Sequence, residues 1–180
     1  MKKLLIPLIV CLALLLSACA KTEIRPVSEG SEAAAPDAEA QVISFETTDM
    51  EGNAVSSAEL FAEHSYTMVN VWTSWCVYCV REMPELERLS QTCADKDIAV
   101  VGLLYDGADA QGRADAEDIL AQTGVTYRNL LPWDGMEGAL RVQAFPTTFF
   151  VDRSGRLVGD VIQGADIAAY EQQIETLLGD

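Results

Sequence analysis

Cys76-Val77-Tyr78-Cys79 sets two thiols three residues apart at the close of a β-rich apolar run, Val69-Asn70-Val71-Trp72-Thr73-Ser74-Trp75, and a helical pattern begins at once. Strand, thiol pair, helix: that order puts the first sulfur at a helix N-terminus. There the unpaired backbone N–H groups and the helix dipole favour a negative charge, which stabilises the thiolate. Thiolate is the species that attacks disulfides, so the chemistry these residues suit is dithiol–disulfide exchange. Cys76, first of the pair and the less buried, is the expected attacking group. Cys79, one turn further in, would resolve the mixed disulfide by attacking the Cys76 sulfur and releasing the substrate thiol. The competing use of such a pair is half of a zinc site, which needs four ligands. The rest of the domain offers only His64 and Cys93.

The helix after Cys76 carries a stripe at alternating spacings of four and three: Cys79, Met83, Leu86, Ser90 and Cys93, with Val80 and Leu89 alongside. Arg81, Glu85, Glu87, Arg88 and Gln91 fall on the opposite, polar side. Pro84 lies inside the helix, where it removes the bond to the Val80 carbonyl. Glu82, three residues after Cys79, sits one turn away on the same side. A carboxyl held there in apolar surroundings would have a raised pKa and could exchange protons with Cys79. By pattern alone it reads equally well as a solvated surface glutamate between Arg81 and Glu85. Trp72 and Cys93 read as core, and His64 carries no chemistry.

The elements around this pair alternate. Val42 to Thr48 and Ala54 to Ser56 read as two short strands across Asp49-Met50-Glu51-Gly52-Asn53, and Ser57 as the cap of a brief helix. Tyr66 to Trp72 is apolar on both faces, as a central parallel strand is. Ile98 to Tyr105 is a second buried strand. Gly112 to Thr123 is helical and stops at Gly124. Val125 to Leu131 is an expected edge strand, and Gly135 to Val142 a short helix. Thr147 to Asp152 and Arg156 to Ile162 form a hairpin across Asp152-Arg153-Ser154-Gly155. The last helix carries Ile167, Tyr170, Ile174, Leu177 and Leu178 on one face and ends at Gly179. Helices alternating with strands, plus one antiparallel hairpin, make an α/β layer fold with a mixed sheet.

Two stretches make a resemblance specific. Trp72-Thr73-Ser74-Trp75-Cys76-Val77-Tyr78-Cys79 with Glu82-Met83-Pro84-Glu85-Leu86, and Val142-Gln143-Ala144-Phe145-Pro146-Thr147-Thr148-Phe149-Phe150-Val151-Asp152-Arg153-Ser154-Gly155, resemble the TlpA/ResA group of membrane-tethered extracytoplasmic thiol–disulfide oxidoreductases. The resemblance runs from about Val42 to the C-terminus. It implies a thioredoxin-like fold, a central mixed β-sheet flanked by helices with an N-terminal β-hairpin extension. It implies a redox disulfide Cys76–Cys79, a functional glutamate at Glu82 and a cis Phe145–Pro146 bond lying against the dithiol. Trp75, Val77, Tyr78, Phe145 and Pro146 become the expected substrate contacts. It implies no cofactor and no metal, a membrane electron donor of the CcdA/DsbD kind, and extracytoplasmic protein disulfides as substrates. Apocytochrome c thiols or an oxidised methionine-repair enzyme are the clients it would allow. Tyr78 departs from most of the group, which has Pro before the second cysteine. The change frees a backbone N–H near Cys76, and the two intervening residues tune thiolate stability and redox poise.

The N-terminus sets the expected place of work. Lys2 and Lys3 precede the apolar run Leu4 to Leu16, and Leu16-Ser17-Ala18-Cys19 closes it in the manner of a bacterial lipobox. Residues 1–18 are thus an expected signal peptide that takes Cys11 with it, and Cys19 an expected lipidation site. Ordinary signal-peptidase cleavage nearby, or an uncleaved anchor, are the other readings. Residues 19–40 are rich in Glu, Ala, Ser and Pro and read as a flexible tether, and 41–180 as the domain. The implied site is extracytoplasmic, lipid-anchored to the bacterial cell membrane. A formal net charge of −16 argues against nucleic acid as a partner. Three functions compete: a disulfide reductase; a peroxiredoxin-like thiol peroxidase, disfavoured for want of a Thr/Pro-rich loop before a single reactive Cys; and a non-catalytic binding lipoprotein.

Overall fold

The computed structural model describes residues 41–179. The expected signal peptide, Cys19 and the tether lie outside the described residues. The elements are β1 (Glu46–Thr48), β2 (Ala54–Ser56), α1 (Ser57–Ala62), β3 (Tyr66–Trp72), α2 (Val77–Ala94), β4 (Ile98–Leu104), α3 (Ala110–Thr123), β5 (Asn129–Leu130), α4 (Met136–Leu140), β6 (Thr147–Asp152), β7 (Leu157–Gln163) and α5 (Ile167–Leu178). A five-stranded mixed sheet in the order β5-β4-β3-β6-β7 forms the centre, and β1 and β2 pair antiparallel in a sheet of their own.

β3 is the middle strand, parallel to β4 and antiparallel to β6. Its side chains alternate between two packed layers, so neither face could be polar throughout. Val69 and Val71 point with Val101, Leu103, Phe149 and Val151 into a core closed by Phe45 and Phe61. Met68 points the other way, with Leu86 of α2, Phe150, and Tyr170 and Ile174 of α5. Asn70, two residues on from Met68, belongs to that second layer. β3 and β4 run in register to Trp72 and Leu104, so the loops after them leave the sheet at one edge. The dithiol follows the first of these loops.

Several boundaries differ from the sequence expectation, each for a physical reason. The strand expected from Val42 is only Glu46–Thr48, because Val42 and Ile43 lie across the 153–156 turn, where the Ile43 N–H donates to Gly155 O at 2.7 Å. Gly155 has φ +81°, and a side chain there would press on Ile43 O. Ser57 is not the cap of α1: Ser56 holds that position, and the Ser57 hydroxyl accepts from the Phe45 N–H. The edge strand expected over Val125–Leu131 shrinks to Asn129–Leu130. Glu87 explains part of that loss. Expected on the polar side of α2, it is buried, and it takes the Thr126 N–H at 2.7 Å and the Thr126 hydroxyl at 2.6 Å. The short helix expected from Gly135 to Val142 is Met136–Leu140, bounded by left-handed backbone at Gly135 and Arg141. The last hairpin strand is shifted by one residue, to Leu157–Gln163.

Gly102 shows how tightly the site's support is packed. A Cβ there would fall 1.9 Å from Asn129 Oδ1, the atom that accepts the Trp72 indole N–H at 2.9 Å. Gly102→Ala should therefore displace Asn129 and strand a buried indole N–H. Overpacking of this kind costs about 1–3 kcal/mol. Urea unfolding of the variant should show a lower midpoint with an unchanged slope, and an unchanged midpoint would mean that β5 yields freely.

Candidate active site

Cys76 is the N-cap of α2, in extended conformation, and the Cys79 N–H donates to its sulfur at 3.1 Å. An N-cap side chain accepts from the helix's own unpaired donors, and here the acceptor is the reactive sulfur itself. The donor is the Cys79 N–H rather than the one that Tyr78 provides in place of a proline. Cys76 and Cys79 form a disulfide, with 6% of Cys76 and 1% of Cys79 exposed. The order of accessibility agrees with attack by the first and resolution by the second. Both cysteines pack with Trp72, Met83 and Leu104, and Phe145 lies against that cluster.

The loop into the dithiol is held from the β4 side. The Asp106 carboxylate accepts from the Ser74 N–H at 3.1 Å and from the Ser74 hydroxyl at 2.6 Å, while the Cys76 N–H donates to Thr73 O at 3.1 Å. From the other side, β3 and β6 pair Val71 with Thr147, which brings Phe145-Pro146 level with the end of β3. The Phe145–Pro146 bond is cis. Phe145 meets Trp75 edge-on, ring centroids 5.6 Å apart, and Tyr105 at 5.0 Å. Trp75, Val77 and Tyr78 are 68%, 59% and 66% exposed. They form an apolar rim around the disulfide, with the Arg81 guanidinium over the Tyr78 ring at 6.0 Å.

Glu82 is where the sequence left two readings, and the structure places the residue inside. It is 5% exposed. Its Oε1 accepts from the Asn70 carboxamide at 2.9 Å and its Oε2 from the Tyr170 hydroxyl at 3.2 Å. Burial raises its pKa from the ordinary 4.5 to about 7, against the two hydrogen bonds and with help from the nearby Glu85 charge. Glu87 makes the contrast five residues along the same helix. Burial pushes its carboxyl up too, but the backbone N–H and hydroxyl of Thr126, with Gln91, hold it below the usual range. A charged carboxylate is stabilised by the donors it collects, and Glu87 has more of them. A carboxyl poised near neutrality beside a thiol pair can take or give a proton at physiological pH.

Sequence reasoning missed Asn70, Thr148 and Tyr170 around this carboxyl, and Asp106 behind the loop. A lone asparagine inside Val69-Asn70-Val71 was the available signal, since a buried carboxamide demands partners. Tyr170 was read only as part of an apolar helix face. Nothing local marks Asp106. Two core expectations hold: Trp72 is buried, and Cys93 is a free thiol in the core beside Leu86 and Leu89, its pKa pushed up by burial. His64 meets Asp97 at 3.3 Å, at the β4 end opposite the dithiol. Among the described residues no group of three or more His, Cys, Asp or Glu is gathered to hold a metal ion.

With this geometry in view, the chain was compared with known proteins. The family model described as Redoxin matches residues 30–178. The thioredoxin-like protein YneN of Bacillus subtilis is 28% identical over 134 residues, covering 72% of this chain and 68% of that protein. The thiol–disulfide oxidoreductase ResA of Bacillus thuringiensis is 25% identical over 119 residues, covering 66% of this chain and 65% of its own length. The chain therefore spans about two thirds of these relatives. Among solved structures, a thiol:disulfide interchange protein of the thioredoxin family from Chlorobium tepidum superposes with a TM-score of 0.65 at 24% identity, over 80% of this chain and 100% of that one. The thioredoxin-like architecture expected from sequence is thus the observed one.

Proposed function

The chain belongs to the Redoxin family and carries the thioredoxin fold and the redox dithiol of a thiol–disulfide oxidoreductase, and on that premise we propose that it is a reductase of protein disulfides working outside the cytoplasm. The observation that carries the exchange chemistry of this reading is Glu82, a buried carboxyl with a pKa of about 7 one helical turn from Cys79, while the reducing direction follows the resemblance. In reduction, Cys76 thiolate attacks a substrate disulfide and expels one substrate thiolate. Cys79 then passes its proton to the Glu82 carboxylate and attacks Cys76, forming the Cys76–Cys79 disulfide and releasing the second substrate thiolate. Trp75, Val77, Tyr78 and Phe145 offer the apolar surface on which a substrate chain would lie.

The lipobox-like Leu16-Ser17-Ala18-Cys19 supports a lipid anchor at Cys19, and the composition of residues 20–40 supports a tether between lipid and domain. Two lipid chains suffice for stable anchoring. An anchored dithiol needs an electron source within the same membrane, so a membrane thiol–disulfide donor of the CcdA/DsbD kind is the proposed partner. Apocytochrome c thiols are one client class that this placement would serve.

The midpoint potential of the Cys76–Cys79 couple tests the direction. A reductase should lie near about −270 mV, and a value near about −120 mV would make the protein an oxidant instead. Fractionation tests the placement: the protein should sediment with membranes and lose that retention in Cys19→Ser. A wild-type chain found free of membranes would remove the anchor.

A further inference from the structure

Tyr170 has one hydroxyl hydrogen and two acceptors within reach. Its oxygen lies 3.2 Å from Glu82 Oε2 and 2.9 Å from the Gly164 carbonyl. Gly164 in turn donates its N–H to the Pro146 carbonyl at 2.8 Å, continuing the β6–β7 ladder past Thr147 and Gln163. Hydrogen bonds therefore join the carboxyl behind the dithiol to the Gly164 carbonyl, and the N–H of the same residue pairs with the proline segment in front of it. The other donor at the phenol is the Thr148 hydroxyl, which reaches the Tyr170 oxygen and leaves the phenol's own hydrogen to choose between its two acceptors. Asn70 has two amide hydrogens, one given to Glu82 Oε1 at 2.9 Å and the other to Thr148 at 3.1 Å. Asn70, Glu82, Thr148 and Tyr170 are all buried, so bulk water does not make up the difference.

Counting hydrogens gives two distinct arrangements. With Glu82 ionised, Glu82 and Gly164 compete for one hydrogen, that of the phenol, and a charge-assisted bond to the carboxylate takes it. With Glu82 protonated there are two hydrogens. The carboxyl then donates to the phenol oxygen, and the phenol hydrogen turns to Gly164 O. We propose that Tyr170 is a positioning residue that holds the Glu82 carboxyl in place and passes its proton state to the carbonyl of Gly164, the residue that pairs with Pro146. The inference rests on the acid–base reading of Glu82 given above. When Cys79 hands its proton to Glu82, the Tyr170 hydrogen leaves the carboxyl for Gly164. The residue paired with the Pro146 segment thus gains a bonded carbonyl at the step that releases substrate. Cys79 loses its proton, Glu82 gains it, and no other reactant is required.

The groups facing Glu82 are few. α5 contributes Tyr170, and the segment before β5 contributes Tyr127, whose phenol is pushed up by burial and then by the charges of Glu82 and Glu87. Its own helix contributes Glu85, a like charge one turn along, and the dithiol. β3 and β6 present only Asn70 and Thr148, which do not titrate. Among the described residues no Lys, Arg or His is paired with Glu82.

Carbon-13 NMR of the full oxidised chain, followed between about pH 5 and 9, reads both ends of the relay. The Gly164 carbonyl signal should titrate with the same midpoint as the Glu82 carboxyl. In Glu82→Gln it should stay at its low-pH position throughout, since the Gln amide donates to the phenol as the protonated acid does. In Tyr170→Phe the Glu82 midpoint should rise by about one pH unit for loss of a donor to the carboxylate, while Gly164 stops responding. A Gly164 signal that ignores Glu82 in the wild type, or still follows it in Tyr170→Phe, would overturn the relay. The wild-type and Glu82→Gln spectra decide the matter even if Tyr170→Phe does not fold. Exchange rates measured in parallel keep the two readings apart. A wild-type rate–pH profile in Glu82→Gln removes the acid–base role, whatever Gly164 does.

Discussion

A chain carrying Cys79→Ser should accumulate a covalent mixed disulfide with its substrate through Cys76, and one carrying Cys76→Ser should exchange no disulfides. The expected loss of insulin-disulfide reduction is on the order of a thousandfold or more in each, since removing a nucleophile or its resolving partner disables the whole cycle. The asymmetry follows from position. Cys76 caps α2 and accepts the Cys79 N–H, so its thiolate is the stabilised one and the less buried of the two. Cys79 is almost wholly buried against Met83 and Trp72, where only the Cys76 sulfur can reach it. Gel shift under non-reducing conditions, followed by reduction, would detect the trapped species. If Cys79→Ser traps nothing while Cys76→Ser does, the roles are reversed. If the wild type reduces no more insulin than either variant, the chain is a binding protein on a thioredoxin fold.

Glu82→Gln should slow exchange near neutral pH by about ten- to a hundredfold, within the range general acid–base groups contribute, and flatten the rise in rate through pH 7. The wild-type rate should rise there because Glu82 must be ionised to accept the Cys79 proton, and its pKa is about 7. The same substitution should change stability in a direction fixed by linkage. The folded carboxyl titrates near 7 and the unfolded one near 4.5, so the native state holds a proton that the unfolded state has released over that interval. Stability is therefore fully present below about pH 4.5, falls as pH rises towards 7 and is flat above. Glutamine removes that fall while keeping uncharged bonds to Asn70 and Tyr170. Chemical unfolding should find Glu82→Gln more stable than wild type at pH 8, by up to about 3 kcal/mol, and little different at pH 4.5. Equal stability at both pH values would place the carboxyl in water.

Glu82 and Glu87 mark the boundary of what could be read from the chain. Both are charged residues of one helix, and helical periodicity assigned Glu87 outward and left Glu82 undecided. Both are buried, and they titrate in opposite directions because of partners on other elements: Asn70 and Tyr170 for one, Thr126 for the other. Those partners lie 12 to 88 residues away, which no local pattern reports. Resemblance to a family pointed to Glu82 but not to the groups that hold it.

The chain alone determined the thiol pair at a helix start, the doubly buried β3, the alternation that makes an α/β sheet, and Pro146 at the head of β6. These are properties of neighbours in sequence: two cysteines one turn apart, runs of apolar residues, turn chemistry at Gly155 and a stop at Gly124. Tertiary structure alone decided which face of β3 Asn70 joins, that α5 brings a phenol to Glu82, and that Gly164 links that phenol to Pro146. The reason is physical. A thiolate at an N-cap is made by the backbone of its own helix, whereas a carboxyl's pKa depends on how many donors reach it and how much water it loses. Both of those quantities exist only once the sheet and its two covering helices have come together.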